Sequence, residues 1–116
     1  MSQFISLDQA KKMTALYRAN RDQILIEEER GKDILPVCES MDREKIESIL
    51  AQPGCKGLRI YYGMDPELRV HAIIVGTDSY GRDILPSQEA EAQQSNILDE
   101  LERCPVNCPP PSPLNP

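Results

Sequence analysis

Cys104 and Cys108 stand four residues apart, with Pro105 between them and Pro109 directly after. Two thiols at that spacing in an extended segment can converge on one soft metal ion such as zinc, close a small disulfide ring, or serve in redox chemistry. A zinc site wants four ligands, and Cys38, Cys55 and the single His71 complete the set only if the end of the chain folds back over the domain. The thioredoxin arrangement, Cys-x-x-Cys at a helix start, is absent. Pro110-Pro111-Ser112-Pro113, followed by Leu114, carries the PxxP spacing that aromatic grooves recognise in an extended, low-entropy chain.

A second constellation is polar. If Tyr62 faces Val70 and Leu58 faces Ile74 across a hairpin, then Arg59, Tyr61 and His71 share one face, with Tyr61 opposite the imidazole and able to hydrogen-bond it. These three are candidates for a polar pocket, although alternate polar residues in a two-sided hairpin also make an ordinary solvent face. An enzyme built on Tyr61, His71 and Asp65 lacks a nucleophile motif and an evident cleft. Glu27-Glu28-Glu29 and Asp99, Glu100 and Glu102 read as solvated acidic faces. The residues point away from an enzyme.

These side chains need elements to position them. Ser6 and Gln9 make a capping box, and Leu7, Ala10, Met13, Tyr17 and Ile24 recur at helical steps, predicting an amphipathic helix from about Leu7 into the low twenties. Asp42 is an N-cap for a short second helix through Ile46, Ile49 and Leu50, ended by Pro53-Gly54. Residues 57–63 and 69–75 alternate with period two around turn chemistry at 63–68, which predicts an antiparallel hairpin over 57–76. A third strand is expected over 82–85. A lone hairpin is marginal, so the helices must cover one face. The expected fold is α+β, with Leu58, Ile60, Ala72, Ile74, Met13 and Leu16 in one core.

Length and composition bound the rest. A chain of 116 residues argues for one compact unit, expected over 1–86, then an acidic linker or weak helix over 87–103 and a Cys/Pro-rich extended tail over 104–116 that adds little to the fold. Residues 87–116 carry one basic and five acidic side chains, and six of the ten prolines fall between Pro105 and Pro116. A net charge of −6 and only five aromatic side chains, none of them Trp, oppose binding to nucleic acid or anionic membrane. The first residues have neither a basic n-region nor an apolar h-region, which predicts a cytoplasmic chain whose cysteines are thiols or metal ligands before they are disulfides.

Gly31-Lys32-Asp33-Ile34-Leu35-Pro36 returns as Gly81-Arg82-Asp83-Ile84-Leu85-Pro86. Two copies of a docking strand, or of a junction between elements, account for it equally well.

Pro53-Gly54-Cys55, Gly57-Leu58-Arg59-Ile60-Tyr61-Tyr62-Gly63 and the closing Arg103-Cys104-Pro105, Cys108-Pro109 and Ser112-Pro113-Leu114-Asn115 together resemble a family of small uncharacterised bacterial proteins. The resemblance implies a bacterial origin and a core and tail that work as one unit. It implies no activity or cofactor. The expectation is a non-enzymatic interaction protein that offers its tail to a protein partner, with homo-oligomerisation open. The alternative is a thiol-redox or metal-binding protein using Cys104 and Cys108.

Overall fold

Ser6 opens the first helix as its spacing requires. Its hydroxyl accepts from the Gln9 amide at 3.1 Å while the Gln9 side chain accepts from the Ser6 amide at 3.0 Å, so two otherwise orphan donors are satisfied at the start of α1 (Leu7–Asn20). In the computed structural model, which describes residues 3–86, 97–99 and 101–116, the elements that follow are a single 3-10 turn (Glu27–Glu29), β1 (Cys38–Ser40), α2 (Arg43–Leu50), β2 (Gly57–Met64), β3 (Val70–Thr77), β4 (Asp83–Ile84) and β5 (Glu102–Cys104). The architecture is α+β, with two small antiparallel sheets, β1-β5 and β2-β3-β4. Of the acidic linker or weak helix expected over 87–103, residues 87–96 and 100 lie outside the described residues, while Leu98 bridges Ile74 and residues 102–103 are strand. Among the described residues no helix is long and apolar enough to cross a membrane.

β3 is the centre of the molecule. One edge pairs with β2 along eight residues, from Gly57 opposite Thr77 to Met64 opposite Val70. The other edge is closed by four separate pieces of chain. The Ile34 carbonyl accepts from the Val70 amide at 2.7 Å, the Glu39 carboxylate accepts from the Ala72 amide at 2.8 Å, Leu98 exchanges two bonds of 2.9 Å with Ile74, and β4 pairs with Gly76 and Thr77. A carboxylate thus stands in for a strand where no strand is present, because a buried amide must find an acceptor.

The core is smaller and placed differently than the amphipathic patterns predict. Ile49, Ile74 and Leu101 are buried together, with Met41, Ala72 and Leu98 packed against them. α2 can approach β3 this closely only because residue 76 is glycine: a Cβ there would lie 2.9 Å from the Cys55 sulfur and 3.2 Å from Ile49. Of the six expected core residues, Ile74 is 1% exposed and Ala72 packs on the cluster, but Leu58, Ile60, Met13 and Leu16 are 40%, 53%, 63% and 68% exposed. α1 buries none of its residues. It is held by polar groups: Tyr17 donates its hydroxyl to the Pro36 carbonyl at 2.6 Å, and Arg21, the C-cap, bonds the Leu35 carbonyl at 2.9 Å and the Asp33 carboxylate at 3.0 Å.

The second sheet was not expected. β1 and β5 are three residues each, with Cys38 opposite Cys104, Glu39 opposite Arg103 and Ser40 opposite Glu102. Arg103, 9% exposed, ties this sheet to β3 by donating to the carbonyls of Val70, Asp33 and Ile34, the last at 3.0 Å. The boundary expected between residues 103 and 104 therefore falls inside a strand, and Cys104, 2% exposed, belongs to the interior. From Val106 through Leu114 the chain is exposed.

Candidate functional site

β3 is entered and left through the same kind of five-residue turn. Asp65 accepts from the amides of Glu67 and Arg69 at 2.8 and 3.1 Å and holds the Arg69 guanidinium at 3.1 Å. Asp78 does the same for Tyr80 and Arg82, at 2.9, 3.0 and 3.0 Å. In each turn the fourth residue has a positive φ, 68° at Leu68 and 77° at Gly81. This clamp sets the register. It makes Met64 and Val70 the closing pair, so Tyr62 lies opposite Ala72 and Leu58 opposite Gly76, two residues away from the pairing expected from the alternation.

A two-residue shift keeps side chains on the same face. Arg59, Tyr61 and His71 do share one, but they do not converge: His71 lies opposite Gly63, and Tyr61 opposite Ile73. Arg59 pairs with the Asp83 carboxylate at 2.5 Å, and Tyr61 donates its hydroxyl to the other oxygen. The pair reaches from β2 to β4 across β3, and Val75 between them is 3% exposed. The Tyr61 hydrogen bond, with the nearby guanidinium, holds the Asp83 carboxyl below the usual range, and accepting that bond as a carboxylate pushes the Tyr61 phenol up. This is a structural clasp, not a pocket.

His71 belongs to a different group. Its Nε2 lies 2.8 Å from Asp65 Oδ2, and because a carboxylate only accepts, Nε2 carries the hydrogen. On its other side Nδ1 is 3.4 Å from Glu39 Oε2, and both atoms are buried without a hydrogen-bond partner. The His71 hydrogen bond, followed by the Arg69 and Glu67 amides, holds the Asp65 carboxyl well below the usual range despite its desolvation. An open cavity of about 260 Å³ lined by Asp65, Arg69, His71 and Asp99 lies beside this row. Such a row can hold a proton between carboxylates, yet among the described residues no nucleophile is bonded to the imidazole. Glu39 was missed in the sequence because its partner, His71, is brought beside it only by tertiary pairing. The Asp-x-x-x-Arg spacing of both turns, in contrast, is plain in the sequence.

The sulfur pair is joined. Cys104 and Cys108 form a disulfide, the ring alternative, and in this form neither sulfur is a thiolate able to ligate zinc, so the metal expectation does not describe this state. Cys38 and Cys55 are free and half-buried. Among the described residues no three His, Cys, Asp or Glu side chains are grouped to hold a metal ion. Beyond the ring the tail turns back toward α1. The Leu114 carbonyl accepts from Arg18, Ser112 and Asn115 exchange two backbone bonds, and a cavity of about 320 Å³ remains between Thr14, Arg18, Cys38, Pro109 and Leu114. Pro110, Pro111 and Pro113 are exposed, and Leu114 is 39% exposed. None of the family models, curated proteins or solved structures compared with the chain matches it.

Proposed function

We propose that this protein is a non-enzymatic interaction module that offers its C-terminal Cys/Pro loop to a protein partner. The observation that supports the reading is a loop exposed from Val106 to Leu114 and fixed at both ends. Cys104 is buried in β5 and bridged to Cys108, and the Leu114 carbonyl is held by Arg18. A proline segment held in this way has little entropy left to lose, so an aromatic groove would gain most of the contact energy as affinity. The same reading makes the closing Cys-Pro and Ser-Pro-Leu-Asn segments of the bacterial-type tail a working surface. The net charge of −6 keeps nucleic acid out of the proposal.

The test separates the tail from the fold. Deletion of residues 109–116 removes only peripheral contacts and should leave Tm within about 4–8 °C, the shift expected for roughly 1 kcal/mol in a domain of this size. Deletion from residue 104 removes a buried strand residue as well and should lower Tm much further. Photo-crosslinkers at Val106 and Pro110 in the intact chain should both capture one protein, through an aromatic groove, and Pro110→Ala with Pro113→Ala should abolish the capture. A partner that binds the 109–116 deletion as well as the full chain would sink the proposal.

A further inference from the structure

The disulfide has a third sulfur beside it. Cys104 is bonded to Cys108 and is at the same time the cross-strand neighbour of the free thiol Cys38 in the β1-β5 pair. Side chains directly opposite in an antiparallel pair lie on one face with Cβ atoms about 4.5–5.5 Å apart. That reaches to within about 1 Å of the Cβ separation a disulfide uses. We propose that Cys38 is the exchanging thiol of a disulfide-exchange site, and that Cys104 moves its bond between Cys108 and Cys38.

The step balances without an outside reagent. The Cys38 sulfur, as thiolate, attacks Cys104 Sγ. A Cys38–Cys104 bond forms, the Cys104–Cys108 bond breaks, and Cys108 leaves as a thiolate that takes up the proton Cys38 gave to water. One disulfide and one thiol are present before and after. Burial selects the attacker: Cys104 is 2% exposed, so thiols in solution reach it poorly while Cys38 is held beside it. Cys108, in contrast, is exposed. Cys38 also lines the cavity that the tail roofs with Pro109, Ser112, Leu114 and Asn115, which leaves room for the side chains to move as the ring opens.

The product differs in a useful way. The closed ring shows a partner Val106, Asn107 and the prolines beyond them but no thiol at residue 108, whereas the exchanged form adds an exposed Cys108 thiol. That thiol can attack a disulfide on a docked protein, forming a mixed disulfide as the partner's second sulfur leaves as thiolate. Exchange also reconciles a disulfide with the cytoplasmic location proposed from the sequence, where persistent bridges are rare and transient ones are catalytic or sensing.

The exchange does not rest on the proline reading and can fail without affecting it. The full-length protein is held at mildly alkaline pH, quenched in acid, alkylated and mapped by non-reducing proteolysis and mass spectrometry. Both the 104–108 and 38–104 bridges should be found, with Cys108 alkylated in proportion to the second. Cys38→Ser should reduce Cys108 labelling to background, and Cys55→Ser should leave it unchanged. If Cys38→Ser does not fold, Cys108→Ser decides: exposure to glutathione disulfide should close Cys38 onto Cys104. Wild type without a 38–104 peptide at any pH, or Cys108→Ser with both remaining thiols still alkylated, overturns the proposal.

Discussion

At its first residue β3 is entered from Asp65-Pro66-Glu67-Leu68-Arg69, and at its last it leaves through Asp78-Ser79-Tyr80-Gly81-Arg82, two turns with the same carboxylate clamp and the same Arg partner. Each end is also flanked on its outer edge by one copy of the repeated Gly-basic-Asp-Ile-Leu-Pro segment: Ile34 bonds Val70 at the start, and Asp83 and Ile84 pair with Thr77 and Gly76 at the finish. The ends then diverge. At the first, Ile34 is buried, Arg103 donates to its carbonyl and His71 bonds the Asp65 carboxylate of the clamp; at the second, Ile84 is half-buried, Leu85 is 61% exposed, and Asp83 is held from β2 by Arg59 and Tyr61. One local solution has been used twice: at the first end the repeat copy buries its isoleucine beside Arg103 while β3 itself is half-buried, and at the second β3 is buried from Ile74 to Thr77 while the repeat copy is not.

The comparison is most easily broken by truncating the two isoleucines. Ile34→Ala opens a cavity at a position 4% exposed and should cost about 2–5 kcal/mol, whereas Ile84→Ala should cost about 1 kcal/mol, measured by urea denaturation. Equal losses would mean that the first copy of the repeat is no better packed than the second.

A smaller contrast lies in acid. Both clamp carboxyls are held below the unfolded value near 3.9, Asp65 chiefly by His71 and Asp78 chiefly by the Arg82 amide. A depressed carboxyl stabilises the fold above its unfolded pKa and ceases to do so as pH falls through its folded value. Thermal melts from neutral pH down to about 2 should therefore show wild type above Asp65→Asn until roughly pH 4, with the gap closing below it. Asp78→Asn should show the same shape with a smaller gap, since it lacks the imidazole. A gap that widens in acid would contradict the assignment.

The smallest effects concern the backbone. Leu68 holds a conformation that costs a side-chain-bearing residue about 1–2 kcal/mol, part of which is offset by the freedom glycine has in the unfolded chain. Leu68→Gly should stabilise by about 0.5 kcal/mol, and Gly81→Ala should destabilise by about 1 kcal/mol although no atom lies near its added Cβ. If both changes are neutral, the two turns are not under the same constraint.

What the sequence revealed follows the range of the interactions. The Ser6–Gln9 box, α2, the hairpin and a third strand, seen over Asp83–Ile84, depend on neighbours a few residues apart, and all are present. The hairpin register depends on the Asp65 clamp, which alternation alone does not register. α1 is amphipathic but is fastened by hydrogen bonds from Tyr17 and Arg21 and buries no side chain, so its apolar period does not mark a core face. Strands of three residues have no period to read, and a pairing between residues 38 and 104 leaves no trace in spacing; the sheet that sets Cys38 opposite Cys104 was for that reason invisible. The repeat was plain in the sequence, while its place on one edge of β3 required the fold.

The outer edge of β3 carries a consequence for the order in which the chain matures. Its pieces come from residues 34 and 39, which precede the strand, and from 83–84 and 98, which follow it. As the protein leaves the ribosome, the hairpin and the first two pieces can assemble while the Ile74 amide still waits for Leu98, and Arg103 has yet to cross-tie Ile34 to Val70. The nascent domain is thus half-sealed over the interval in which its acidic 87–96 stretch is being made. A newly emerged chain should bind holdase chaperones until residue 103 is clear and then release them in a single step.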